Sequence, residues 1–496
     1  MLGLDIAAGF GARPALRDGE RSISYGELPA LIAAESRWLA ASGGRRFALL
    51  ADNSSAWALT DLGLANQGLM NVPVPGYFTP GQMAHVLSDA GIDAVITDQP
   101  TTLAALNLGF ASAGTSAQTG LALWQRPVSA AARPVPPGTS KVTYTSGSTA
   151  EPRGVCLSAG LLAAVAHSLA SATADLQLTR HLCLLPLPTL LENVAGIYAA
   201  LMSGATCEIP SLAEAGMSYG GLQAGRLTGT IAAREPSSLI LVPELLRVLV
   251  HAATLGWKPP GSLRFIAVGG AVVSPGLLVR AERLGLPVFE GYGLSECGSV
   301  VCLNTAGNHR RGSVGRPLPH VQVRVDEHRQ LIVRNAGMLG YLGDESAAGA
   351  EIATGDLGSI DADGYVHVDG RLKNLLITSL GRNVSPEWVE RELQQEPEVG
   401  TALVVGEARP WLTALISPQS DQISHDRLNA AVDRANRRLP DYAQIRAWSL
   451  PAAPFTFANG SLTANGRLRR ARILGTHERV IHDLYRGSTP QKENYV

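Results

Sequence analysis

Short apolar runs alternating with longer stretches of helical period dominate the first two-thirds of the chain. Residues 46–50, 94–97, 239–242 and 265–268 are nearly unbroken aliphatic or β-branched runs, the pattern of strands buried on both faces. Between them lie segments of helical spacing: one opened by Ser24-Tyr25-Gly26-Glu27-Leu28, then 57–67, 82–90, 162–174 and 194–202. Another begins at Ser274-Pro275, a hydroxyl capping residue followed by a first-turn proline. Residues 72–75 and 183–185 read as short extended pieces, whereas 100–138 is weakly patterned and reads as a surface connection. Strands separated by helices predict an α/β body whose parallel sheet is covered on both faces.

After Gly312 the period changes. Residues 321–325 and 330–334 alternate with period two, and Asp363-Gly364 is a hairpin turn between 359–360 and 365–368. This predicts a small antiparallel barrel or sheet appended to the body. A boundary falls at 369–373, and the tail from 374 to about 472 has strands and helices of its own. One of those helices is opened by Ser385-Pro386-Glu387, its acidic residue suited to the positive helix end. Residues 488–496 read as a loose terminus.

With 496 residues, 46% of them apolar, and a mean hydropathy of +0.10, the chain can bury several cores. A net charge of −1 and a pI near 6.8 leave no basic field for nucleic acid or an anionic membrane. The N-terminus lacks a cationic segment followed by a long apolar one, and no run approaches the roughly 18 apolar residues of a membrane span. Cys156, Cys183, Cys207, Cys297 and Cys302 lack CxxC spacing, which argues for a reducing cytoplasm and against a disulfide frame or zinc site. Lysine is rare: Lys141, Lys258, Lys373 and Lys492 are the only ones, so nearly all basic charge is arginine.

Candidate chemistry centres on residues 142–155. An extended run passes into Thr145-Ser146-Gly147-Ser148-Thr149, followed by Arg153. Hydroxyls, freed backbone N–H groups and one cation suit a loop that wraps phosphate oxygens. Composition alone leaves a flexible surface connection open, and the pattern lacks the Gly-Lys-Ser/Thr of nucleoside triphosphatases. A second cluster, Glu290-Gly291-Tyr292-Gly293-Leu294-Ser295-Glu296, follows an apolar strand and so sits where open α/β sheets bind ligands. Its glycines allow close approach to a flat base, and Glu296 offers a hard oxygen to Mg²⁺. Asp356, in Thr354-Gly355-Asp356, can accept from both hydroxyls of a ribose, although on local grounds a turn role is the favoured reading.

Together these segments resemble the adenylate-forming superfamily, which includes acyl-CoA synthetases, luciferases and peptide-synthetase adenylation domains. Residues 145–155 are similar to its TSGSTGxPKGV signature, with Ala150 for Gly and Arg153 for Lys. Residues 292–296 resemble its YGxTE motif, and Val268-Gly269-Gly270-Ala271 its glycine pair beside adenine and acyl group. Asp356 and Asp369-Gly370-Arg371-Leu372-Lys373 match its TGD and GRxK motifs. Residues 377–386 resemble the segment that enters the site for the second half-reaction, and 455–470 the closing motif, with Arg467 in place of an essential lysine. Residues 185–192 resemble the LPLxHxxE segment of the long-chain branch, with Thr189 at the histidine position.

The resemblance implies an α/β fold: two doubly wound subdomains and a small β-barrel within residues 1–370, then a mobile α+β lid, 374–496, turning at 371–373. It implies an ATP-dependent, AMP-forming ligase that activates a carboxylic acid and passes the acyl group to a thiol. CoA is the simplest acceptor, with carrier-protein phosphopantetheine or an amine as further options, and a weakly catalytic binding protein as another. The implied catalytic residues are Arg467, Ser295, Glu296 and Arg153. Thr145, Ser146, Gly147, Ser148, Thr149, Gly270, Ala271, Gly291, Tyr292, Gly293, Asp356 and Arg371 would bind nucleotide, with Glu296 on Mg²⁺ and Thr149 as a further candidate ligand to it. Lys373 would be the hinge, Gly381 would flank the acceptor tunnel, and Thr189, Gly269 and Leu294 would border the acyl group.

Overall fold

A computed structural model describes residues 10–486 except 20, 128–131, 146–152, 219–220, 345–348, 380–381, 421, 457 and 464–465. Two large sheets form the body. In the eight-stranded sheet, Thr139–Thr145, Met70–Pro73, Arg46–Leu50 and Ala94–Thr97 run parallel as the centre. Antiparallel strands flank them: Arg153–Ser158 and Gly340–Tyr341 on one side, Ala122–Gln125 and Ala111–Thr115 on the other. Period two sorts Arg46–Leu50 between two cores: Phe47 and Leu49 point into one, Ala48 and Leu50 into the other. Both faces are therefore buried, as unbroken apolar runs require.

The nine-stranded sheet runs Arg316–Pro317, Cys302–Leu303, Val288–Tyr292, Phe265–Val268, Ser238–Leu241, Arg180–Leu182, Thr206–Glu208, Pro14–Asp18, Arg21–Ser24. From Val288–Tyr292 to Pro14–Asp18 every pairing is parallel. Phe265 and Ala267 face the largest core, while Ile266 and Val268 face a second core beneath the helices Pro243–Thr254 and Pro275–Arg283. The sequence-predicted antiparallel element is a four-stranded sheet, Gln322–Val325, Gln330–Arg334, Glu351–Ile360, Val366–Arg371. Beyond it, a three-stranded sheet (Val399–Val405, Leu412–Pro418, Ile445–Ser449) packs with helices Pro386–Gln394 and His425–Asn436. Among the described residues, the buried members of its two cores all come from Val384 onward, with Leu376 packed against one of them.

Two local expectations change. The strand expected at 183–185 lies earlier, at Arg180–Leu182. The Cys183 N–H still donates to the Glu208 carbonyl of the adjacent strand at 2.9 Å, but the Leu185 N–H turns to the Glu192 carboxylate at 3.0 Å, so Leu185 is buried without continuing the ladder. Where a surface connection was expected, the described residues between 100 and 127 form a helix, Pro100–Ala105, and two strands. All five residues of Ala111–Thr115 are exposed, which erases the alternation that would reveal an edge strand. Among the described residues no helix is long and apolar enough to cross a membrane. All five cysteines are free and buried.

Candidate active site

A cleft of about 1660 Å³ opens at the carboxyl ends of the nine-stranded sheet and is walled on the far side by the carboxyl-terminal unit. Strand Val288–Tyr292 delivers the first wall. Gly293 follows it, and a Cβ there would fall 1.7 Å from the Ser299 carbonyl oxygen, so only glycine lets the chain fold back this tightly. The return carries Ser295–Cys297, a single 3₁₀ turn that projects Glu296 into the cleft. The Tyr341 hydroxyl donates to Glu296 Oε1 at 3.0 Å, and the Met338 N–H donates to the Glu296 carbonyl at 2.7 Å. Leu294 and Ser295 also line the cleft.

The second wall comes from the antiparallel sheet. Asp356 and Arg371 are cross-strand partners, and Arg371 Nε donates to Asp356 Oδ1 at 2.7 Å. The Tyr292 hydroxyl donates to Asp356 Oδ2 at 2.7 Å, and the Asp356 N–H is held by Thr354 Oγ1 at 3.0 Å. A buried carboxylate with a charged and a neutral donor keeps further lone pairs for a diol. Burial and then the Asp356 charge push the Tyr292 hydroxyl well above its ordinary range, so the ring stays neutral.

Arg467 reaches the same place from the other unit. Thr463 and Arg467 close a turn, with the Thr463 N–H on the Arg467 carbonyl at 2.8 Å and the Arg467 N–H on Thr463 Oγ1 at 3.1 Å. Gly466 takes φ +75° to make that turn. The guanidinium then spans the cleft, donating from Nε to the Gly270 carbonyl at 2.6 Å. Gly270 itself sits at φ +80°. The Arg470 side chain anchors the segment, at 2.6 Å from Glu390 and 2.7 Å from the Val404 carbonyl. Desolvation, then the like charge of Arg371, lowers the Arg467 pKa; Lys373, exposed in the turn Leu372–Asn374, is lowered by desolvation and then by Arg371 and Arg467.

The structure thus brings Gly269, Gly270, Ala271, Gly291, Tyr292, Gly293, Leu294, Ser295, Glu296, Asp356, Arg371, Lys373, Arg467 and Thr189 around one cleft. Arg153 stands one ring away: its guanidinium lies 3.8 Å from the Tyr341 ring centroid, over the residue that binds Glu296, and only 3.5 Å from exposed Asp344. Thr145 ends its strand opposite Arg153. Ser146, Gly147, Ser148, Thr149 and Gly381 lie outside the described residues. Sequence reasoning missed Tyr341, an unremarkable Gly-Tyr pair. It also missed Glu290 as a cleft residue; burial pushes its carboxyl up to about 7, opposed by Arg391 of the other unit.

The profile of the "AMP-binding enzyme" family matches residues 5–346, and that of the "AMP-binding enzyme C-terminal domain" matches 373–489. The chain is 25% identical to the long-chain-fatty-acid–CoA ligase FadD15 of Mycobacterium bovis, across 90% of this chain and 89% of that protein. It is 28% identical to the indoleacetate–CoA ligase of Aromatoleum aromaticum, across 79% and 82% respectively. The crystal structure of the anthranilate CoA ligase AuaEII with anthranoyl-AMP superposes with a TM-score of 0.77 at 18% identity, covering 97% of this chain and 98% of that one. That similarity extends over both units of the fold. With its amino-terminal profile spanning well over half its length, the chain belongs to the AMP-binding enzyme family.

Proposed function

We propose that this protein is an ATP-dependent, AMP-forming acid–thiol ligase. The observation that carries the reading is the convergence of Tyr292–Asp356–Arg371 and Arg467–Gly270 on the cleft that Glu296 enters. A ribose accepted by Asp356 and a base laid against Tyr292 would point the phosphates toward Glu296. An incoming carboxylate oxygen attacks the α-phosphorus, the bond to the bridging oxygen breaks, and pyrophosphate leaves, giving an acyl-adenylate. Arg467, with Nε fixed on Gly270, keeps its two terminal nitrogens for oxygens of the carboxylate and α-phosphate. Charge developing at phosphorus is met by these fixed donors, which need no reorganisation during the step.

Mg²⁺ fits the donor set, since Glu296 is a hard carboxylate in the cleft; bound there it would neutralise phosphate charge. In the second step a thiol attacks the acyl carbonyl, AMP leaves, and a thioester forms. CoA is the proposed thiol. Residues 1–370 form the nucleotide-binding unit and 374–496 a lid that turns about Lys373 at 371–373, so that the 377–386 segment replaces Arg467 at the site. Substrates of this kind place the protein in the cytoplasm, and its five free, buried cysteines support that.

The test is acid-dependent pyrophosphate release from MgATP across a panel of carboxylic acids, with and without CoA. Thioester formation by at least one acid is expected. Adenylate formation without transfer to CoA, but with transfer to a carrier-protein thiol or an amine, would reassign the acceptor. Release with no acid would overturn the reading.

A further inference from the structure

The acid pocket below the nucleotide end has a polarity gradient. Phe265, Ala267 and the following Gly269 line the cleft, and the neighbouring strand sets Ser238 and Ile240 beside Phe265 and Ala267 as their register partners, lining it too. Gly269 adjoins the Arg467 contact, whereas Ser238 and Phe265 begin their strands. Four residue steps lead from Gly269 to Phe265, so the pocket floor runs about 13 Å from nucleotide to far end at roughly 3.3 Å per residue. The opposite wall is the π-helical turn Glu192–Tyr198 continuing into Ala199–Met202, which offers Ala195 and Ala199 to the space. Small and apolar in its middle, the pocket becomes polar at its end.

That end is built by three buried side chains. His181 is the register partner of Ser238 on the adjacent strand, and both line the cavity while only 3% and 5% exposed. His181 Nδ1 lies 3.0 Å from Ser238 Oγ and His181 Nε2 lies 2.8 Å from Glu192 Oε1. Glu192 Oε2 accepts the Leu185 N–H at 3.0 Å. Gly196 makes room for the pair, because a Cβ there would fall 2.3 Å from Glu192 Oε1 and 2.9 Å from His181 Nε2. In the tautomer that carries the imidazole proton on Nε2, toward the carboxylate, Nδ1 accepts and the Ser238 hydroxyl donates to it. Ser238 Oγ is left with lone pairs and no proton for the pocket.

Nearby hydroxyls are committed in the same way: Ser203 donates to the Ala199 carbonyl at 2.9 Å and Thr173 to the Leu169 carbonyl at 2.9 Å, and both line the cavity. With these described hydroxyl protons directed into the protein, Ser238, Ser203 and Thr173 present acceptor lone pairs at the far end. His181, Cys183 and Glu192 also bring ligand atoms within 4.8 Å of one another.

On the acid-ligase reading above, we propose that Ser238, oriented by His181 and Glu192, selects acids carrying a hydroxyl or amino donor at the end remote from the carboxyl. Ser238 is the residue that touches the substrate; His181 and Glu192 are positioning residues. A substrate lacking the donor leaves a buried acceptor unpaired, a cost that appears as discrimination of about 10- to 100-fold.

The experiment uses matched pairs of acids, aliphatic and aromatic, identical except for hydroxyl or amino against hydrogen at the far end. ATP–pyrophosphate exchange gives kcat/KM for each member. The donor-bearing acid is expected to be preferred, and Ser238→Ala to drive the ratio toward one by loss on that acid. Should the variant fail to fold, the ratio on the unaltered protein decides the matter. A ratio near one for every pair that supports exchange overturns the polar floor and leaves acid activation standing. Exchange with no acid at all overturns the acid-ligase reading itself.

Discussion

Asp356→Asn perturbs the nucleotide wall with the least change of shape. Asp356 has a side chain 6% exposed and takes Arg371 Nε and the Tyr292 hydroxyl, each at 2.7 Å, on separate oxygens. An amide has one acceptor oxygen and two N–H donors. If its oxygen keeps Arg371, its NH₂ faces the Tyr292 hydroxyl, which must turn round, and one of the acceptors proposed for the ribose diol becomes a donor. Losing a diol hydrogen bond to a charged oxygen costs roughly 1.5–3 kcal/mol, and setting an N–H donor against a diol hydroxyl adds about 1 kcal/mol. A total of about 3 kcal/mol, at about 1.4 kcal/mol per decade, lowers kcat/KM for ATP roughly 100-fold. ATP–pyrophosphate exchange with ATP varied and acid saturating measures it. A value within about threefold of the unaltered protein, with circular dichroism unchanged, would refute the assignment of Asp356 to the nucleotide.

Three further outcomes follow from the same structure. Gly293→Ala places a methyl group 1.7 Å from the Ser299 oxygen and 2.7 Å from its carbonyl carbon, backbone that cannot rotate aside. The turn bearing Glu296 must shift, and exchange activity falls by about 100-fold or more. Lys141→Met strands Asp61, because the fully buried ammonium lies 2.7 Å from its carboxylate and also meets Asn193 and Tyr198. The expected loss is about 3–5 kcal/mol in urea unfolding. Glu290→Gln tests a pH dependence. Burial lifts its native carboxyl from 4.5 to about 7, so the native state keeps a proton that the unfolded chain has released. Stability from this group is present below the unfolded value and falls as pH rises through that window. Melting temperatures of the variant and the unaltered protein should therefore coincide near pH 4.5 and separate, with the variant higher, by pH 8.

Much of this architecture was legible locally. Buried strands such as Arg46–Leu50 and Phe265–Val268 are apolar on both faces because both faces are covered, and that leaves an unbroken run in the sequence. Helix starts at Ser274 and Ser385 were legible because a hydroxyl and a proline satisfy the first turn without help from elsewhere; each serine accepts from the N–H three residues on. The edge strand Ala111–Thr115 was not, since nothing buries either of its faces. Motif glycines were visible as residue types, but the reason for Gly293 is the Ser299 carbonyl it touches.

Residue chemistry and spacing alone therefore determined the α/β class, the change to antiparallel pairing after Gly312 and the segments that could meet a nucleotide. Tertiary structure decided which of them meet. Cross-strand register sets Arg371 against Asp356, a turn nearly 200 positions away in the chain aims Arg467 at Gly270, and adjacent parallel strands set His181 beside Ser238. Such pairings depend on how sheets and units pack, and packing leaves no periodic trace in either partner's own sequence.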